Sequence, residues 1–100
     1  MSKPTITAYL KTTCGWSNGI RALLENYDLP YEEKDIIIYP HFRAEMEQKS
    51  GQRLSPCVLV NEVMLADVGS DELEEYLLAN HLVTIADRKS DEPINSACQH

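Results

Sequence analysis

Cysteine is scarce in this chain: three in 100 residues, at positions 14, 57 and 98. An odd, sparse set excludes a dense disulfide framework and fits a reducing, cytoplasmic setting. Met1 is followed by Ser2-Lys3-Pro4 with no apolar core segment, so no secretory leader is expected. No apolar run approaches the ~20 residues of a membrane-spanning helix, and no membrane role is expected. Histidine is equally thin, three residues far apart, and no spacing resembles a zinc site. Cations are outnumbered, with nine Lys and Arg against 16 Asp and Glu, for a net charge of −7. A field of that sign disfavours nucleic acid and anionic membrane as partners. It leaves room for a small anion at a local basic spot. There are no internal repeats.

What remains is ordinary globular material, 43% hydrophobic and 25% charged, enough for one domain with a core that needs no disulfide staples. Residues 5–10, TITAYL, alternate in the manner of a strand, with Ile6, Ala8 and Leu10 on one face. Residues 11–15 read as a loop. From Ser17 the apolar positions Ile20, Leu23, Leu24 and Tyr27 fall on a helical stripe, which Leu29-Pro30 ends. Residues 31–38, YEEKDIII, read as a second strand. Tyr39-Pro40 opens a second helix with Phe42 and Met46 on its apolar face and Gly51 as its stop. CVLV at 57–60 and VMLAD at 63–67 read as a hairpin turning at Asn61-Glu62. Gly69-Ser70-Asp71 begins a last helix with Leu73, Tyr76 and Leu77 inside. Asp71 and Glu74 have the spacing of a capping box there. Periodicity fades after Asn80. A domain over 1–86 and a polar, disordered tail over 87–100 are expected. The order β-α-β-α-β-β-α makes the first two strands parallel and the last two antiparallel, in one four-stranded mixed α/β sheet flanked by helices.

The chemistry concentrates at TTCGWS, 12–17. Cys14 sits between a strand and a helix, where free backbone N–H groups and the helix dipole favour a thiolate. Lys11 adds a cation, Thr12, Thr13 and Ser17 are potential donors to the sulfur, and Gly15 keeps the approach open. C-x-x-S alone is a weak pattern, and a lone cysteine is commonly a small buried hydrophobe. A turn between polar residues is a less common place for one.

Three segments in this order make the chain resemble a glutaredoxin over about residues 4–80: KTTCGWS after the first strand, RLSPC before the third, and DVGSDELEEYL after the fourth. Ser17 stands where the second cysteine of a dithiol member would be. Only two residues separate Lys11 from Cys14, and a W-P motif is absent, so the chain resembles a dithiol-type scaffold that has lost its second thiol, rather than the C-G-F-S class. The resemblance implies a thioredoxin-like fold and a glutathione-dependent thiol–disulfide oxidoreductase in cell redox homeostasis, acting on glutathione and glutathionylated proteins with Cys14 as the single catalytic residue. It implies that Lys11, Thr13 and Ser17 support the thiolate. It implies that Lys11, Trp16, Arg53, Ser55, Pro56, Ser70 and Asp71 bind glutathione, with Pro56 in the cis form.

Each of these residues also has a plainer reading. Lys11 and Arg53 read as surface charges, Asp71 as a helix cap, Pro56 as a trans proline of an edge strand, Cys57 as a packed strand thiol, and Cys98 as part of a tail. Two other functions fit the same resemblance: a carrier of a [2Fe–2S] cluster, held by Cys14 of two subunits and two glutathiones, and a non-enzymatic binding module. A monomer is expected for the enzyme and a dimer for the cluster carrier. Arsenate reduction also uses C-x-x-S, but the larger helical insertion and the arginines it needs are missing from this sequence.

Overall fold

The computed structural model describes residues 3–89. The elements run β1 (Ile6–Leu10), α1 (Gly15–Asn26), β2 (Glu32–Asp35), α2 (Pro40–Ser50), β3 (Cys57–Val60), β4 (Val63–Leu65) and α3 (Ser70–Ala79), with a 3-10 turn at Ile85–Asp87. One sheet has the order β2-β1-β3-β4. β1 and β2 are parallel, with Ala8 opposite Glu33. β1 and β3 are antiparallel, with Ala8 opposite Val58, and β3 and β4 are antiparallel, with Leu59 opposite Met64. The parallel first pair and antiparallel last pair are as the sequence predicts.

The period-2 alternation of β1 divides the core into two layers. Ile6, Ala8 and Leu10 join Val58 and Val60 under the stripes of α1 (Ile20, Leu23, Leu24) and α3 (Leu73, Leu77). The opposite face is smaller: Tyr9, Cys57 and Ile36 pack with Met46 of α2. The three α1 stripe residues are wholly buried, each contributing about 1.5–3 kcal/mol by leaving water. These two layers fix the carboxyl end of β1, and with it the loop from which α1 departs.

Four local readings of the sequence are corrected. The second strand stops at Asp35 instead of reaching 38. One oxygen of the Asp35 carboxylate accepts the N–H groups of both Ile37 and Ile38 at 2.8 Å, turning the chain out of the sheet. Ile36 therefore enters the core while Ile37 and Ile38 face solvent. The first helix starts at Gly15, two residues before the apolar stripe. The fourth strand ends at Leu65, and Asp67 follows with a left-handed φ of 52°. At the last helix Glu72, not Glu74, reaches back, its Oε1 accepting the Gly69 N–H at 2.9 Å. Glu74 instead accepts the Tyr27 hydroxyl at 2.6 Å.

Turn chemistry is otherwise as expected. Gly51 closes α2 in the left-handed region at φ 73°, its N–H donating to Glu47 O at 2.9 Å. Asn61 and Glu62 both have positive φ, 47° and 73°, which matches the two-residue hairpin turn that twists with its strands. Beyond α3 the chain returns to α1, where the Lys89 N–H donates to Asn26 O at 2.8 Å. Positions 90–100, with Cys98, lie outside the described residues.

Candidate active site

Cys14 is the residue that caps the start of α1, with extended backbone at φ −92° and ψ 131°. Its carbonyl accepts the Asn18 N–H at 2.9 Å, the first bond of the helix. The thiol is free and half-buried. Burial pushes its pKa up, but the backbone N–H groups of Ser17 and Trp16, the Ser17 hydroxyl and the charge of Lys11 together outweigh burial. The net effect holds the thiol below its ordinary range, the outcome expected at a helix start.

Ser17 is fully buried and works in two directions. Its oxygen accepts the Lys11 N–H at 2.9 Å, and its hydroxyl is one of the donors to the Cys14 sulfur. A hydroxyl, unlike a thiol, can hold both bonds at normal strength. The Lys11 carbonyl accepts from Arg21 Nη2 at 2.8 Å, and that guanidinium also pairs with Glu33 at 2.6 Å. Thr12 is directed elsewhere than the sequence suggests: its hydroxyl donates to Asp35 and not to the sulfur. Thr13 is exposed. The cysteine loop is thus fastened at Lys11 from both sides and at Thr12 to the turn after β2. Arg21 and Asp35 carry much of this, and sequence reading missed both. The available signal was the i, i+4 spacing of Ser17 and Arg21 on the first turns of one helix.

A groove of about 380 Å³ opens beside this loop, lined by Trp16, Ser55, Pro56, Asp67, Val68, Gly69 and Glu72. The Ser55–Pro56 peptide is cis. The Pro56 carbonyl accepts the Val68 N–H at 2.9 Å, joining the two loops that form the groove floor. Trp16 is 60% exposed and lies over Gly69, where a Cβ would stand 3.4 Å from the indole Cζ3. Three of the expected binding positions, Trp16, Ser55 and Pro56, therefore line one groove, together with Gly69, the residue that caps α3. Ser70 is buried, Asp71 is exposed, and both are in the first turn of α3, where backbone N–H groups lack helical acceptors. Arg53 is exposed three residues before Pro56. Among the described residues neither Arg53 nor the Lys11 ammonium has an ion-pair partner. Asp67 and Glu72, which sequence reading did not single out, give the groove a carboxylate at each side.

Cys57 is also free but wholly buried. Its thiol donates to Leu54 O at 3.2 Å and accepts from Gln52 Nε2 at 3.3 Å, as a packed strand residue would. No group of three or more His, Cys, Asp or Glu able to hold a metal ion occurs among the described residues. No helix among them is long and apolar enough to cross a membrane.

The glutaredoxin family model matches residues 6–65, from the start of β1 to the end of β4. The chain belongs to the glutaredoxin family. Among solved structures, the solution structure of glutaredoxin from Brucella melitensis is similar, with 27% identity and a TM-score of 0.62 over 84% of this chain and 94% of that one. No curated protein matches the chain in sequence. Glutaredoxins are generally redox proteins that use glutathione, and the mixed four-stranded sheet with its flanking helices is the fold of this family.

Proposed function

We propose that this glutaredoxin reduces protein–glutathione mixed disulfides with one thiol. The observation that carries the reading is a half-buried Cys14 at the first turn of α1, held below the ordinary thiol range, beside a groove of peptide size. The Cys14 thiolate attacks the glutathione sulfur of the mixed disulfide. A bond forms between Cys14 and that sulfur as the protein–sulfur bond breaks, and the protein leaves as a thiolate. A second glutathione thiolate then attacks the adduct, forming glutathione disulfide and restoring Cys14. Ser17 has no thiol with which to compete for the adduct, so the second glutathione is the route out.

Glutathione is an anionic tripeptide, and this reading assigns its parts to groups in the groove and on the segments beside it. Lys11 and Arg53, which have no ion-pair partner among the described residues, meet the glycyl carboxylate. The backbone of Ser55, ahead of cis-Pro56, pairs with the tripeptide chain, and Trp16 covers it. The γ-glutamyl carboxylate takes the N–H groups of Ser70 and Asp71 at the start of α3, and the Asp71 carboxylate accepts from the adjoining ammonium. Intact mass after mild treatment with glutathione disulfide tests the reading: one glutathione on Cys14 is expected. Modification confined to Cys57 or Cys98 would refute it.

The cluster-carrier reading needs four ligands, and Cys57 is sealed, so one copy brings Cys14 alone among the described residues. Two copies and two glutathione thiols would be required. Anaerobic reconstitution read by visible absorption separates that reading from the enzyme. Failure to form any Cys14 adduct would favour a binding module.

A further inference from the structure

The loop between α2 and β3 carries Arg53, Ser55 and cis-Pro56, yet among the described residues no backbone–backbone hydrogen bond holds residues 52–55. One side chain replaces that missing ladder. Gln52 Oε1 accepts the Leu54 N–H at 2.7 Å, and its Nε2 donates to Leu54 O at 2.9 Å. The amide therefore pairs with both polar groups of Leu54, as a neighbouring strand would. Nε2 also lies 3.3 Å from the Cys57 sulfur and 3.2 Å from Ser50 Oγ, and the Cys57 thiol donates to the same Leu54 carbonyl at 3.2 Å. Ser50 Oγ in turn is 2.7 Å from Met46 O, tying the cluster to the last turn of α2. Leu54 itself is 61% exposed, so its side chain contributes little anchoring.

We infer that Gln52 is a positioning residue for glutathione: its amide sets the path of residues 53–55 and so the reach of Arg53 and of the Ser55 backbone into the groove. This rests on the proposed function. It also gives Cys57 a role, as the buried end of the same cluster and not as a reactive thiol. Gln52 acts on the binding loop alone, because the groups that hold the Cys14 thiolate come from Lys11, Trp16 and Ser17. Its removal is therefore expected to weaken glutathione binding without changing the sulfur.

The test compares wild type with Gln52→Leu, which removes the whole pairing, and Gln52→Glu, which keeps the acceptor for Leu54 N–H and loses both donors. Steady-state turnover of a glutathionylated model peptide is measured together with thiolate absorbance against pH. Gln52→Leu is expected to raise the KM for glutathione about tenfold or more, because small displacements at a binding site are costly. The kcat should move less than about twofold, and the Cys14 titration midpoint should stay in place. Gln52→Glu should fall between. An unchanged KM, a loss confined to kcat, or a shifted Cys14 midpoint would overturn the proposal. If Gln52→Leu does not fold, the same criteria are applied to Gln52→Glu, and a KM equal to wild type there overturns it. A wild-type protein without turnover would remove the proposed function, and this role with it; an active wild type with indifferent variants would remove only the role of Gln52.

Discussion

The two free thiols among the described residues, Cys14 and Cys57, lie at the same end of the sheet, one beyond the carboxyl end of β1 and the other at the start of the antiparallel β3, yet their surroundings differ. At Cys14 the sulfur is an acceptor: two backbone N–H groups and the Ser17 hydroxyl point at it, and Lys11 supplies charge. At Cys57 the thiol donates to Leu54 O, accepts from Gln52 Nε2, and is buried among Tyr9, Ile36 and Met46. The first environment stabilises the anion, and the second seals the sulfur away from solvent. The contrast is therefore one of access and of the helix start: Cys14 is half-buried at the first turn of α1, and Cys57 is packed in the core.

That contrast can be broken by exchange of single groups. Cys14→Ser should lower deglutathionylation of a model mixed disulfide by on the order of a thousandfold, since no other accessible thiol among the described residues replaces it; turnover near wild type would show that Cys14 is not the nucleophile. Ser17→Ala comes next. It deletes a donor to the sulfur and the acceptor for Lys11 N–H, so the Cys14 midpoint should rise and alkylation by iodoacetamide at pH 6 should slow several-fold. The same variant should lose about 1 kcal/mol of stability in urea from the orphaned N–H.

Wild-type alkylation should titrate with the thiolate. It is fastest above the Cys14 pKa and falls as pH drops through it. Because the N–H groups, the Ser17 hydroxyl and Lys11 lower that pKa from the ordinary thiol value, a window exists in which Cys14 reacts while an ordinary thiol is still protonated. A midpoint at or above the ordinary value would contradict the helix-start account. The smallest effect is expected from Cys57→Ala. It should cost about 1–2 kcal/mol through the small cavity left behind, with mass mapping still finding glutathione on Cys14 alone.

Much of the fold was legible because its signals are periodic. The α1 stripe, the β1 alternation and the CVLV run each declare a buried face, and the order of elements then restricts the sheet to few arrangements. The overreach at YEEKDIII came from reading three isoleucines as strand. The deciding residue was Asp35, whose short carboxylate competes with the sheet for the next two N–H groups. The capping residue of α3 was misplaced for a related reason. Asp71, Glu72 and Glu74 all have suitable chemistry, and only the path of the chain through Gly69 selects Glu72. At the site, Cys14, Ser17 and Pro56 were readable from short motifs. Arg21, Asp35 and Gln52 were not, because each acts through a contact whose partner is a backbone group or a side chain distant in sequence.

Trp16 is the single tryptophan of the chain, and it stands at the lip of the groove with its ring against Gly69. The molecule therefore contains a native optical probe, free of background from any second indole. A tripeptide entering beneath that ring would strip water from it and change its emission, so occupancy can be followed by fluorescence in the unlabelled protein.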